Sequence, residues 1–273
     1  MNYRHAFHAG NFADLVKHGA LLRLMARLTS APGPLSVIDT HAGRGTYDLT
    51  GPEARKSGEA DAGIVRLMAA TDAPTPFAPL KAAVTQLNGG PDVRRYPGSP
   101  WLIAQHLRPG DTYLGCELRP DEHTALRQAL KDRRGVQTLC ADGFEMAADH
   151  APSQGRTLLL IDPPFERADD YARIVETAHS VRARNRTATM LIWLPLKDLA
   201  TFDAFLGDFE DTVAAPLLVA ETRIRPLTDP MKMNGCALVL VGAPSDIAGE
   251  LEAICGWTVE ALGQDGEARV YQA

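Results

Sequence analysis

The sequence has few of the features that mark a secreted, membrane-spanning or metal-binding protein. Its 273 residues include four cysteines, none in a Cys-x-x-Cys pair or at a zinc-ligand spacing. We therefore expect no metal, and we interpret Cys116, Cys140, Cys236 and Cys255 as reduced core thiols of a cytoplasmic protein. The first ten residues contain no apolar run typical of a secretory signal. No segment reaches the roughly 20 apolar residues of a membrane span, so no membrane partner is expected.

An excess of positive charge is also absent. Lysine plus arginine number 28 and aspartate plus glutamate 34, which gives a net charge of −6 and a pI near 5.8. This balance argues against a protein that covers nucleic acid by charge alone, but it allows an enzyme with one basic face. The length suits one large α/β domain with a full core. The oligomeric state stays open, with a monomer favoured.

The apolar periodicity predicts an α/β fold. A first helix is expected from about Phe12 to Leu28, capped by Asn11. Buried strands then alternate with helices, which predicts a Rossmann-like, doubly wound, mostly parallel sheet. The predicted strands are 35–39, 112–116, 136–140, 157–161 and 189–194, and the predicted helices are 120–132, 143–149, 167–183 and 197–206. Two later apolar runs, 215–224 and 236–241, are expected to form an antiparallel hairpin at the sheet edge.

The interval between the first two predicted strands is too long for a simple crossover. Helical patterns at 58–70, 77–88 and 99–107 fill it, and Ser99 is expected to cap the last of them. We interpret 50–110 as containing a small inserted helical subdomain within a single domain spanning 1–273.

A glycine-rich turn follows the first predicted strand. It contains Asp39, His41, Gly43 and Gly45, and glycines here let the backbone come close to a ligand. A dinucleotide-binding G-x-G-x-x-G motif would need a third glycine where the chain has Asp48. A cofactor without a pyrophosphate, such as S-adenosylmethionine, therefore fits better than a dinucleotide, although an ordinary strand-to-helix turn remains an alternative.

Two further acids follow predicted strands. Glu117 can accept hydrogen bonds from both ribose hydroxyls of a nucleoside cofactor, whether nicotinamide or methionine based. It can equally be an exposed acid on a turn. Asp142, in Asp142-Gly143-Phe144, can accept from the adenine amine of a cofactor while Phe144 flanks the ring. A helix N-cap at Asp142 is an equally good interpretation and is compatible with that role.

The sharpest motif is Asp162-Pro163-Pro164-Phe165, after the fourth predicted core strand. The exocyclic amine of adenine is a poor nucleophile because its lone pair is delocalised into the ring. A carboxylate and a proline-fixed carbonyl can both accept from that amine and aim its lone pair at a methyl donor. The following aromatic ring can stack on an extruded base. The motif therefore favours amine methylation over a merely stiffened strand end.

The amino-terminal residues 2–18 interleave cationic and aromatic side chains, as nucleic-acid surfaces do. This pattern favours RNA contact, with Arg4 and His5 as candidates, over a disordered tail. Arg223, Arg225 and Lys232 are candidates to extend an RNA face, although a solvated surface is the simpler interpretation.

Taken together, these motifs resemble a known family. YRHAFHAGNFADLVKH, DTHAGRG, SGEADAGI, YPGSP, CEL, ADGF and IDPPFE follow one another in order. They resemble the bacterial 23S ribosomal RNA adenine-N(6) methyltransferases known as large-subunit methyltransferase J. The resemblance covers nearly the whole chain and implies a class I methyltransferase fold with S-adenosylmethionine as cofactor and 23S ribosomal RNA as partner.

The resemblance also implies roles for individual residues. Asp162 would be the catalytic carboxylate beside the cofactor, Tyr3 would contact RNA, and Lys17 would lie near both cofactor and substrate. The implied cofactor contacts are His18, His41, Ser99, Glu117, Asp142 and Gly143. Two positions depart from the family: Phe165 stands where tyrosine is usual, and Arg44 replaces a small residue, which would narrow or charge the cofactor mouth.

Three other functions stay open at this stage. A DNA adenine methyltransferase would use the same catalytic motif, but the chain lacks an obvious second domain for reading duplex DNA. A non-catalytic RNA-binding protein on a methyltransferase scaffold is disfavoured by the intact Asp162 and its prolines. A dehydrogenase is disfavoured by Asp48.

Overall fold

Strands and helices alternate along the computed structural model, which describes residues 5–228 and 233–273. The strands of these residues are β1 (Leu35–Asp39), β2 (Thr46–Asp48), β3 (Arg95–Pro97), β4 (Thr112–Cys116), β5 (Val136–Leu139), β6 (Arg156–Ile161), β7 (Thr189–Leu196), β8 (Leu217–Arg223), β9 (Gly235–Val241) and β10 (Glu267–Gln272). The α-helices are α1 (Phe12–Ser30), α2 (Pro52–Ser57), α3 (Arg66–Ala69), α4 (Ala78–Asn88), α5 (Ser99–His106), α6 (Pro120–Leu130), α7 (Gly143–His150), α8 (Asp170–Arg184), α9 (Leu199–Val213) and α10 (Ala248–Leu262).

Eight of these strands form one sheet in the order β5-β4-β1-β6-β7-β9-β8-β10. All pairs from β5 to β7 are parallel, which confirms the prediction of a Rossmann-like, doubly wound α/β fold. The chain starts at β1 in the middle, winds outward to β4 and β5, then returns to β6 on the other side. The chain connections on the two sides of β1 lead in opposite directions and leave a crevice at the carboxyl ends of the strands. Ligands bind in this crevice in folds of this kind.

Helices cover both faces of the sheet. One apolar core lies between the sheet and α1, α5 and α10. A second core lies between the opposite face and α7, α8 and α9. Burial on both faces explains why the central strands are continuous apolar runs. None of the described helices is both long and apolar enough to cross a membrane.

The end of the chain differs from its prediction. β8 and β9 do pair antiparallel, as expected, but they do not form the sheet edge. β9 lies between β7 and β8 and is buried along its whole length, and the edge belongs to β10. α10 and β10 were not predicted. α9 continues to Val213 rather than ending at 206, because Phe209 in its last turns packs into the core.

The interval 50–110 is helical as expected, but in a different arrangement. The predicted helix 58–70 is divided into α2, a π-helical turn over Asp61–Val65, and α3, with Gly58 ending α2 in a left-handed conformation. β2 and β3 form a small hairpin. Ser99 does not cap α5: Gly98 is the cap, and Ser99 is the first helical residue. That 50–110 contains an independent subdomain stays a prediction.

The cysteines were predicted to be core thiols. Cys116, Cys236 and Cys255 are buried, but Cys140 is exposed and that part of the prediction is wrong. Cys140 follows directly after β5, at the edge of the sheet where less protein covers it.

Candidate active site

A cavity of about 690 Å³ opens at the carboxyl edge of the sheet. Its size suits a nucleoside cofactor together with part of a substrate. All the predicted site residues that the structure describes line it: His5, Lys17, His18, His41, Gly43, Ser99, Glu117, Asp142, Gly143, Asp162, Pro163, Pro164 and Phe165. Two further predicted RNA contacts, Tyr3 and Arg4, lie outside the described residues.

The glycine turn after β1 and the acid after β4 hold each other in place. The amide of Gly43 donates to one oxygen of Glu117 at 3.0 Å, and the amide of Arg119 donates to the other at 2.8 Å. Gly43 has a φ of 63°, a conformation that glycine adopts without strain. Burial raises the pKa of Glu117, although the two amides oppose that shift. The carboxylate is therefore oriented at the cavity wall.

Arg44 does not charge the cofactor mouth as expected. Its guanidinium forms two hydrogen bonds to Glu122, at 2.7 and 3.0 Å, and Arg44 does not line the cavity. The fork of the guanidinium matches the two carboxylate oxygens, so the charge of Arg44 is neutralised by Glu122 at the cavity wall.

The segment after β5 is held by three contacts. Asp142 caps α7 by accepting from the amide of Phe144, as predicted. Its other oxygen accepts from Arg173 at 2.9 Å, and the same guanidinium lies 4.5 Å from the centre of the Phe144 ring. Gly143 packs so tightly that a Cβ there would lie 1.9 Å from the carbonyl oxygen of Thr40. Only glycine fits at this position.

A row of contacts between charged side chains leads from Asp162 to Lys17 and Asp14. The Lys17 ammonium donates to Asp162 at 2.5 Å and lies 3.0 Å from Asp14. Asp14 also accepts from the Gly10 amide at 2.9 Å and contacts His5 at 3.0 Å. Burial would lower the pKa of Lys17, but the two carboxylates outweigh it and hold that pKa well above its usual value. Lys17 is therefore a cation at the centre of the site.

Two further buried groups at the site are Asp39 and His18. Asp39 accepts from the hydroxyls of Ser99 at 2.9 Å and Tyr113 at 3.2 Å, and its second carboxylate oxygen has no hydrogen-bond partner among the described residues. Burial raises the pKa of Asp39 to about 7. His18 lies 2.7 Å from the hydroxyl of Tyr96, and burial lowers its pKa to about 3, so the imidazole is neutral.

Aromatic side chains form the wall beyond Asp162. Phe165 has a left-handed backbone with a φ of 49°, and its ring centre lies 5.0 Å from that of Tyr171 and 5.8 Å from that of Trp193. Trp193 and Pro195, from the end of β7, also line the cavity. Sequence reasoning missed Trp193 because it lies within an apolar run that predicts only a buried strand.

The chain is similar to known proteins over most of its length. Residues 32–272 match the family model described as ribosomal RNA large subunit methyltransferase D, RlmJ. The chain is 33% identical to a ribosomal RNA large subunit methyltransferase J from Haemophilus influenzae, over 97% of this chain and 95% of that protein. It is 30% identical to a protein of the same name from Escherichia coli, over 94% of this chain and 92% of that protein. A crystal structure of protein LPL1258 from Legionella pneumophila superposes with a TM-score of 0.88 at 28% identity, covering 97% of this chain and 98% of that one.

Proposed function

Since the chain belongs to the ribosomal RNA large subunit methyltransferase J family, we propose that it methylates the exocyclic N6 amine of an adenine in 23S ribosomal RNA. The methyl donor is S-adenosylmethionine. One observation carries the proposal: Asp162 lines the same cavity as Gly43 of the glycine turn, Glu117 and Asp142.

The residues of β1, β4 and β5 fit the cofactor. Glu117 can accept from two ribose hydroxyls, because each of its oxygens keeps a free lone pair beside its amide bond. Asp142 and Phe144 suit an adenine, the first by accepting from its amine and the second by packing against its ring. Gly143 lines this part of the cavity and has no space for a side chain beside Thr40. S-adenosylmethionine, when bound, supplies a methyl group activated by a sulfonium.

Asp162 orients the acceptor amine. The carboxylate accepts a hydrogen bond from the amine and aims the nitrogen lone pair towards the cofactor half of the cavity. Pro163 and Pro164 fix the adjoining backbone without donating hydrogen bonds. Lys17 holds one oxygen of the carboxylate in place through the 2.5 Å contact. Methylation leaves one proton too many on the nitrogen, and the carboxylate of Asp162 is the base placed to take it.

Phe165 stacks on the extruded base. Stacking on an aromatic side chain contributes about 1–3 kcal/mol per base. Its neighbours Tyr171 and Trp193 hold the ring in position. Because phenylalanine has no hydroxyl, we assign no hydrogen bond to this position.

Methyl transfer from labelled S-adenosylmethionine to protein-free 23S ribosomal RNA tests the proposal. The wild type should methylate this RNA at an adenine N6, and Asp162→Asn should lower kcat by about a hundredfold or more while leaving cofactor affinity within about twofold. Asp208→Asn is the matched control, because it removes an exposed carboxylate on α9 that does not line the cavity. Undiminished transfer by Asp162→Asn would contradict the assignment of the carboxylate.

The same assay separates the remaining alternatives. Duplex DNA as the better acceptor would indicate a DNA adenine methyltransferase. RNA binding without transfer to any acceptor would indicate a non-catalytic binding protein.

A further inference from the structure

Most cationic side chains around the cavity are already neutralised. Six lysines and arginines of the described chain line it. Four form ion pairs with aspartates at distances between 2.5 and 3.0 Å: Lys17, Arg119, Arg167 and Arg173. Their charges are already paired, and they offer little to an incoming polyanion.

Lys197 and Arg225 differ from these four. Both line the cavity and both are exposed. Within residues 5–228 and 233–273, neither side chain has a hydrogen bond or an ion pair. They are therefore charges at the rim that are available to a ligand.

The topology places both residues on the substrate side of Asp162. Lys197 follows β7 directly, and Arg225 lies two residues after β8. Both β7 and β8 pair antiparallel with β9, so they run in the same direction and end at the same edge as β6. In the sheet order, β7 and β8 lie beyond β6, whereas the strands that carry Glu117 and Asp142 lie on its other side.

Arg223, two residues before Arg225, is a cation with a structural role. Arg223 forms ion pairs with Glu221 and, at 3.4 Å, with Glu267, and only 13% of its side chain is exposed. It was a sequence candidate for an RNA face, and the structure instead makes it a link between β8 and β10. Lys232, another such candidate, lies outside the described residues.

We propose that Lys197 and Arg225 bind backbone phosphates of the nucleotides that flank the target adenine. This inference rests on the proposed function. A base inserted beside Phe165 brings its neighbouring phosphates to the rim of the cavity, and cations beside aromatic walls are typical of single-stranded nucleic-acid sites. The contacts position the RNA without reading its sequence. They also allow a protein of net charge −6 to bind a polyanion locally.

Salt dependence tests the proposal, because each phosphate contact releases counterions. For single-stranded nucleic acid, the slope of log K against log salt concentration is about −0.7 for each phosphate contact. In the double variant Lys197→Gln/Arg225→Gln, the slope of log kcat/KM against log NaCl should be shallower by about 1.4. The ratio of wild-type to variant kcat/KM should shrink about sevenfold between about 50 and about 200 mM NaCl. The kcat/KM values are obtained from initial rates with limiting 23S ribosomal RNA and saturating cofactor.

Lys131→Gln/Arg134→Gln is the matched control. These residues are also exposed and without a side-chain partner among the described residues, and they lie between α6 and β5 at the opposite edge of the sheet. The control removes the same total charge and should keep the wild-type slope. Equal slopes for all three proteins, or equal changes in both variants, would overturn the proposal. Failure of the wild type to methylate any RNA would instead contradict the proposed function.

Discussion

The two halves of the cavity are built differently. On the cofactor side, two acids are fixed by the protein: Glu117 by two backbone amides and Asp142 by an amide and Arg173. On the substrate side, the wall is aromatic, and the cations at its rim, Lys197 and Arg225, have no partner among the described residues. The first half therefore presents oriented acceptors, and the second presents aromatic rings and exposed cations.

This difference matches what each half is proposed to bind. A small cofactor of fixed shape favours a site whose hydrogen-bond acceptors are oriented before it arrives, because no free energy is then spent on ordering them. A long polyanion binds chiefly through charge, and exposed cations with released counterions serve that purpose. Asp162 lies where the halves meet and is held by Lys17 from α1, so neither half alone positions the reacting groups.

The largest expected effect comes from filling the cofactor half. Gly143→Ala would place a Cβ 1.9 Å from the carbonyl oxygen of Thr40, and the backbone would have to move. We expect cofactor affinity, measured by calorimetry, to fall about fivefold to 150-fold, from strain of about 1–3 kcal/mol. Gly207→Ala is the matched control, because nothing lies within 4 Å of its added Cβ. Unchanged cofactor affinity in Gly143→Ala would show that this half is not rigid.

A substitution in the substrate half should weaken the use of RNA and leave cofactor affinity nearly unchanged. Phe165→Ala removes the ring proposed to stack on the base, and KM for 23S ribosomal RNA should rise about fivefold to a hundredfold, equivalent to about 1–3 kcal/mol. Cofactor affinity should stay within about twofold. Phe165→Tyr keeps the ring and should behave as the wild type. A loss of cofactor affinity in Phe165→Ala would mean that the halves are not separate.

Sequence patterns identified the cofactor half better than the substrate half, for a physical reason. β1 and β4 have the predicted bounds, and the acids after β4 and β5 line the cavity as expected. A buried strand followed by a turn is a local pattern, and the carboxyl ends of parallel strands must meet at one edge. The role of Lys17 came only from family resemblance, because no local pattern links it to Asp162, 145 positions away.

Two kinds of feature lay beyond sequence reasoning. Asp39 ends an apolar run, and one of its carboxylate oxygens is buried without a partner among the described residues. The sequence of that run does not predict this burial. Arg223 and Arg225 are neighbours in sequence, yet one is neutralised by glutamates and the other lines the cavity. The difference depends on β10, which pairs with β8 and was not predicted.

The buried His18, which lines the cavity, can be examined by pH. Folding keeps His18 neutral with a pKa of about 3, whereas an unfolded histidine takes up a proton near pH 6.5. The unfolded state binds more protons between these values, so stability falls as pH is lowered through that window. Between about pH 7.5 and about pH 5, the wild type should lose about 2 kcal/mol more than His18→Gln in urea unfolding. The exposed His150→Gln is the control, and parallel curves for His18→Gln and the wild type would contradict the assignment.

The smallest expected effect tests how Asp142 is oriented. Arg173 donates one hydrogen bond to Asp142 at 2.9 Å and lies over the Phe144 ring, so its guanidinium holds one oxygen of the carboxylate that is proposed to accept from the cofactor's adenine amine. Arg173→Lys keeps the charge but loses the planar guanidinium over the ring, and affinity for S-adenosylhomocysteine should fall about threefold to fivefold, or about 1 kcal/mol. The sharper measurement is selectivity against S-inosylhomocysteine, which has an oxygen in place of the amine. If Arg173 orients Asp142, the preference for the adenine compound should shrink in Arg173→Lys, because a mobile carboxylate discriminates less well. An equal loss of affinity for both compounds would mean that Arg173 only supports the fold around α7.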